Sequence, residues 1–293
     1  MSLISLLIAL IAERYLSSST WQFNTFHRRY ISAIKQTKFL ADFRQSAALS
    51  YAVIFIPVFG CYFLLSQVDN ALLHLIASTL ILIVCFGCME TRDAYKSYLV
   101  SAFKGELTSC ELHHMQLQQD KNIANMGFGQ MLVWLNYRYF IAVMLFFVLF
   151  GAAGALFYRL LTTVNECANN KDTTTIDEEA DNGEEHIKST SDGCEATQQL
   201  LFWVDWLPVR LVAFGYMFVG HFSKAMPVWL ENLFEFEKAP SKVLISVAEK
   251  SEDLMVDTDD CTLEPCLLVK LAKRTLLLFL AVISVLILTG IIT

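Results

Sequence analysis

Residues 200–231 read LLFWVDWLPVRLVAFGYMFVGHFSKAMPVWLE, and the reading of this stretch decides the fold. The run is apolar enough for a bilayer, yet it carries Asp205, Pro208, Arg210, His221, Lys224 and Pro227. A charged group at membrane depth costs about 2.5 kcal/mol or more, so it faces protein or water and often marks function. Asp205 is suited to N-cap a helix by accepting the N–H of Leu207, because Pro208 has none to offer. A helix from Trp206 to Gly220 reaches only ~22 Å, short of a ~30 Å hydrocarbon core. Asp205 and Arg210 diverge around that helix, whereas His221 and Lys224 share a face if it runs on to Pro227. The same pattern also suits a capped, buried helix with an interfacial rim of Trp and Lys.

Composition places the rest of the chain around this stretch. Of 293 residues, 55% are hydrophobic and only 17% charged, the profile of an integral membrane protein. The net charge of −7 is local in origin: the acidic residues concentrate in 165–197, and the remainder is close to neutral. No basic patch with interleaved aromatics is present, which excludes nucleic acid as a partner. No phosphate-binding glycine loop appears, so no nucleotide cofactor is expected. Cys85 and Cys88 form a C-x-x-C inside an apolar span with no second pair, so they read as packing, and no metal site is expected. Cys167 and Cys194 flank the acidic segment, and a disulfide between them requires an oxidising compartment.

Along the chain, 3–11 is apolar but too short to span, and nothing after it resembles a signal-peptide cleavage site. Residues 14–44 hold Arg14, Arg28, Arg29, Lys35, Lys38 and Arg44 against Asp42, a cytoplasmic signature. Spans are expected over 45–68, 70–89 and 140–158, with a helical cytoplasmic loop over 90–138. Trp134 to Phe140 opens the third span with aromatics and Arg138, as an interface belt requires. Residues 165–197 lack large apolar side chains and are expected to form an acidic disordered linker. After it come an embedded helix near 200–220, a loop over 221–274 and a last span over 275–293. Lys270, Lys273 and Arg274 lie inside if 200–220 crosses the membrane and outside if it lies at the surface; the crossing arrangement better fits the positive-inside tendency. The expected fold is all-α and polytopic, with about four or five membrane helices plus interfacial ones. Its N-terminal membrane region is 1–164 and its C-terminal one 198–293.

The run Asp205-Trp206-Leu207-Pro208-Val209-Arg210-Leu211, with Gly220-His221, Lys224-Ala225, Pro227 and Trp229, resembles the signature of the AmpE family. Trp134 to Phe140, the apolar N-terminal helix ending in Glu13-Arg14 and the terminal span extend the resemblance over nearly the whole chain. It implies a bacterial inner-membrane regulatory or signalling protein that modulates β-lactamase induction, is connected with cell-wall recycling, and works beside a partner protein. A similar Asp-Trp-Pro-Arg run occurs in the CobD/CbiB proteins of cobalamin synthesis. That second resemblance implies an amide-forming ligase, or a remnant of its ligand pocket. The acidic insertion departs from the shorter link of AmpE relatives.

No residue is assigned a catalytic role. The polar groups expected to cluster, for ligand binding or for structure, are Glu13, Arg14, Asn136, Arg138, Asp205, Arg210, His221 and Lys224. The expected pairing is Glu13 or Asp205 with Arg138 or Arg210, at one membrane face.

Overall fold

Hydrocarbon offers backbone groups no hydrogen-bond partner, so a chain this apolar must satisfy its N–H and C=O groups within helices. Helix is the only regular structure among the described residues, which in this computed structural model are 2–15, 23–36, 47–87, 89–121, 123–174, 184–252 and 262–291. The order begins α1 (Ser2–Tyr15), α2 (Phe23–Gln36), α3 (Ala47–Ser66), α4 (Ala71–Cys85), α5 (Met89–Phe103) and α6 (Leu107–Lys121). It continues with α7 (Phe128–Asn136), a π-helical turn (Tyr137–Ile141), α8 (Ala142–Thr174) and α9 (Glu184–Val219). Then come α10 (Phe222–Leu233), α11 (Pro240–Glu252) and α12 (Leu263–Leu288). The all-α membrane architecture expected from composition is the architecture found.

By length and composition, Phe128–Glu166, Glu195–Val219 and Leu263–Leu288 suffice to cross a membrane, and α4 with α5 adds a fourth if the pair is one broken span. The first of these is not straight. Gly151 has φ 67° and ψ −160°, a conformation only glycine adopts readily, and it interrupts α8. The rings of Phe146 and Tyr158 stack with centroids 4.9 Å apart. In a straight helix, residues twelve apart are separated by about 18 Å. The chain therefore reverses at Gly151, and the two legs of α8 pack against each other. Gly154 makes the close approach feasible: a Cβ there would stand 2.5 Å from the carbonyl oxygen of Phe146. The single span expected over 140–158 is thus a helical hairpin.

One further expectation, the helix start at Asp205, is corrected. Asp205 is not an N-cap, because α9 passes through it and through Pro208 without a break. Proline inside an apolar helix is tolerated where neighbouring groups satisfy the freed carbonyl, so the helix gains the length that the short version lacked. The acidic segment 165–197 is helical at both ends, through Thr174 in α8 and from Glu184 in α9, while 175–183 fall outside the described residues. Asn165 Nδ2 donates to the carbonyl of Thr197 at 3.2 Å, which clasps the two ends of that segment together. The side chains of Cys167 and Cys194 lie outside the described residues.

The chain forms two compact units, each built from two stretches: Met1–Gly87 with Val143–Trp203, and Cys88–Ala142 with Val204–Thr293. One dividing point lies between α4 and α5 and the other two fall within continuous helix, none of them at the acidic segment. In the first unit, α1 packs on α4, and Phe55 of α3 meets Phe157 of the hairpin with centroids 5.7 Å apart. The second unit pairs α5 with α6, α7 with α12 and α10 with α11. Its core holds Tyr98 stacked on Phe128, centroids 3.9 Å apart, among Leu117, Met131, Leu132 and Leu135.

Candidate functional site at a helical bulge

The π-turn at Tyr137–Ile141 arises where the N–H of Ala142 reaches back to the carbonyl of Tyr137 instead of the next one along. Such bulges rotate the following side chains and recur at functional positions. Here the bulge follows Asn136 directly and carries Arg138, two of the polar residues singled out in the sequence. Arg138 stacks on Trp134, 5.0 Å from the ring centroid. Asn136 Oδ1 is buried with no hydrogen-bond partner. Tyr137, fully buried, donates its hydroxyl proton to Asp205 Oδ1 at 2.7 Å. An O–H donated to a carboxylate is among the stronger hydrogen bonds, so it fixes both side chains and joins the bulge to α9 within the second unit.

Arg210 lies one turn and a half further along α9 and is also buried. Its guanidinium stacks on Trp206 at 4.1 Å and donates to three carbonyls: Trp206 at 2.9 Å, Leu233 at 2.9 Å and Glu235 at 2.5 Å. Leu233 and Glu235 close the C-terminal end of α10, where carbonyls lack helical partners and a cation is favoured. Trp206 is in turn stacked on Phe236, centroids 5.0 Å apart and rings within 2° of parallel. Its indole Nε1 is buried without a hydrogen-bond partner. Trp229 Nε1 donates to the carbonyl of Arg210 at 3.0 Å, and Lys238 Nζ donates to Asn232 Oδ1 at 2.6 Å. Arg210 thus anchors the end of α10 through backbone carbonyls.

His221 occupies the N-cap position of α10, exposed, and its imidazole makes no capping bond. Its N–H donates to the carbonyl of Ser251 at 2.8 Å, and Lys224 is exposed one turn on. Both present themselves to solvent or headgroups rather than to the bulge. Glu13 belongs to the other unit, where its Oε1 lies 2.6 Å from the position a Cβ would take on Gly87. The side chain of Arg14 lies outside the described residues. The eight residues therefore divide: four around the bulge and α9, two at the start of α10, two at the end of α1.

Several polar groups escaped the sequence reading. In the second unit, the N–H of Gly127 donates to Gln130 Oε1 at 3.0 Å, and Gln130 Nε2 donates to Glu249 Oε1 at 2.5 Å. Glu264 closes over the same helix start, its Oε1 3.0 Å from a Cβ built on Gly127. Lys121 pairs with Glu90 at 2.5 Å. In the first unit, Arg159, Asn165, Glu166 and His27 are buried. Arg159 stacks over Phe23 at 5.2 Å, and burial, then the charge of Arg159, hold His27 below the usual imidazole range against the opposing pull of Glu166. In sequence Arg159 follows the span expected over 140–158 and Glu166 falls in the acidic segment; the fold buries both. Among the described residues no group of three His, Cys, Asp or Glu is arranged to hold a metal ion.

The comparisons bear on the whole chain. The sequence profile described as "Regulatory signalling modulator protein AmpE" matches residues 1–293. The chain belongs to the AmpE family. Protein AmpE of Shigella flexneri is 25% identical over 307 aligned positions, covering 99% of each chain. No solved structure matches. Residues 205–211, which carried the resemblance read in the sequence, form the segment that joins the bulge to the end of α10.

Proposed function

We propose that this AmpE-family chain is a multi-pass protein of the bacterial inner membrane that modulates β-lactamase induction, in connection with cell-wall recycling and through a partner protein. The match of the family profile to the full length of the chain carries this reading. The apolar helices support the bilayer placement, and no residue here is assigned a catalytic step. Asn136 Oδ1 and Trp206 Nε1, a buried acceptor and a buried donor without protein partners, are the groups best suited to receive a small polar ligand. An amide-ligase reading of the same signature draws no support from the geometry, since Arg210 is used in closing α10 and Asp205 in holding Tyr137.

The test is β-lactamase induction in a strain lacking the chain, complemented with wild type, His221→Ala, Lys224→Ala and Asn136→Ala. Membrane levels are measured in parallel. Deletion changes induction and wild type restores it on this reading; unchanged induction on deletion would overturn it. His221 and Lys224 are exposed, so loss of complementation at normal protein level marks a contact surface for the partner.

A further inference from the structure

The hairpin at Gly151 has a consequence for how the chain lies in the bilayer. Its tip is apolar and exposed: Leu149 and Phe150 are 63% and 65% accessible. A loop that emerged into water on the far side would carry polar residues. Here the reversal reads Leu149-Phe150-Gly151-Ala152-Ala153-Gly154.

Two distances within the structure fix how deep the tip goes. Along the helix, Arg138 precedes Gly151 by thirteen residues, while on the return leg Arg159 follows it by eight and Glu166 by fifteen, so the charged borders stand about 12–20 Å from the tip. With those borders at one interface, the tip reaches about the midplane of a ~30 Å core and stops about 10 Å or more short of the other side. Tilt makes it shallower still.

The second distance comes from α3, in the same unit. Tyr51 donates to the carbonyl of Ala196 at 3.3 Å, beside Thr197, which accepts from Asn165. Tyr51 therefore stands level with the base of the hairpin. One turn on, Phe55 meets Phe157, so α3 runs from base towards tip. From Phe55, α3 continues about 16 Å to Ser66, while from Phe157 the hairpin continues only about 9 Å to Gly151. α3 overshoots the tip by about 7 Å before its polar turn at Gln67–Asn70 begins. The overshooting part exposes Phe59, Tyr62, Phe63 and Leu64, and ring contacts from Phe59 through Phe55, Phe157 and Phe146 lead to Phe150 at the tip.

We infer that the hairpin of α8 is re-entrant: it dips into the bilayer, seats Leu149 and Phe150 in hydrocarbon, and returns to the side it left. The two ends of the hairpin then lie towards one side of the membrane. The crossing expected over 140–158 disappears. The inference rests on the membrane placement proposed above. Irregular backbone at depth is tolerated where protein surrounds it, and Ala152, Ala153, Gly154 and Ala155 are all buried.

Single cysteines at Asn125, Phe150 and Glu195, in the full chain with native cysteines replaced, are exposed to a membrane-impermeant maleimide in right-side-out and inverted vesicles. Carbonate extraction first tests whether the chain is membrane-integral; release into the supernatant removes the membrane reading itself. For the retained chain, Asn125→Cys and Glu195→Cys label from the same side, and Phe150→Cys labels from neither. Labelling of the first two from opposite sides overturns the hairpin as a return path. Labelling of Phe150→Cys from the far side overturns re-entry in favour of a full double crossing. In the chain with its own cysteines, Phe150→Arg lowers the membrane-integral pool several-fold if the tip sits in hydrocarbon. A wild-type pool for that variant overturns the seating of the tip.

Discussion

Two arginines are buried to a similar degree, Arg159 in one compact unit and Arg210 in the other, and the fold treats them differently. Both stack on an aromatic ring, Phe23 for Arg159 and Trp206 for Arg210. Arg210 is then held by three backbone carbonyls, groups whose charge does not change with pH. Arg159 sits beside His27, an imidazole whose charge changes with pH, and shares its surroundings with Glu166. A cation fixed by carbonyls is a constant structural element, whereas one among titratable neighbours couples its unit to proton concentration. Aromatic stacking alone does not decide what a buried cation does; its polar neighbours decide.

The largest expected effect comes from Arg210→Gln, which leaves the carbonyls closing α10 without their donor. Orphaned buried carbonyls cost about 1–3 kcal/mol each, so a loss of about 3 kcal/mol is expected, read as a drop in unfolding temperature in detergent. Arg210→Lys restores little, because one ammonium cannot reproduce a planar fork that meets three acceptors while stacking. Full rescue by lysine would mean that charge alone, not carbonyl geometry, distinguishes this arginine.

Gly151→Ala acts on the other side of the comparison, since the leg carrying Arg159 depends on the reversal. An alanine forced into that conformation costs about 1–3 kcal/mol, and thermal unfolding of the purified protein measures it. An unchanged unfolding temperature would show that the reversal does not need glycine there.

Tyr137→Phe removes a single hydrogen bond to Asp205 and leaves a buried carboxylate short of one donor. About 1–2 kcal/mol is expected, and Asp205→Asn in the same background should add less than its separate effect. Strict additivity of the two changes would break the coupling between bulge and α9.

The smallest effect is the pH dependence of the first unit. His27 has its folded pKa lowered, mainly by burial, below the ordinary value of 6.5. The unfolded chain then binds the proton more readily, so stability is full above the unfolded value. It falls as pH drops below about 6.5 towards the folded pKa. His27→Gln should flatten that acid limb in a pH series of unfolding temperatures. A limb that survives the substitution belongs to other groups, and the contrast with Arg210 loses its basis.

Much of this architecture is legible in the sequence. Apolar runs without charge mark α3, α4, α8 and α12, and the pattern over 90–121 marks α5 and α6, because helix is the form that satisfies backbone groups in apolar surroundings. The signature around Asp205 and Arg210 likewise marks residues that the fold uses, and the family profile agrees with that resemblance over the full chain. What escaped is also specific. Gly151 is one glycine among several small residues, and spacing alone offers no sign that it reverses the chain. Asp205 before Pro208 looks like a helix start, since local rules favour a cap there, but packing carried α9 through both.

Sequence by itself determined membership of the AmpE family, through the profile match, and, through composition, the class of an apolar all-α chain with only 17% of its residues charged. Composition settles that class because the transfer of apolar surface and the cost of bare charges are sums over residues, independent of arrangement. Tertiary structure alone decided which polar groups meet, pairing Tyr137 with Asp205, Arg210 with the end of α10, and His27 with Arg159 and Glu166. Those contacts join residues distant along the chain through a helical bulge and a reversal at one glycine. A hydrogen bond depends on a few ångströms and the direction of a side chain, quantities that periodicity along a sequence does not contain.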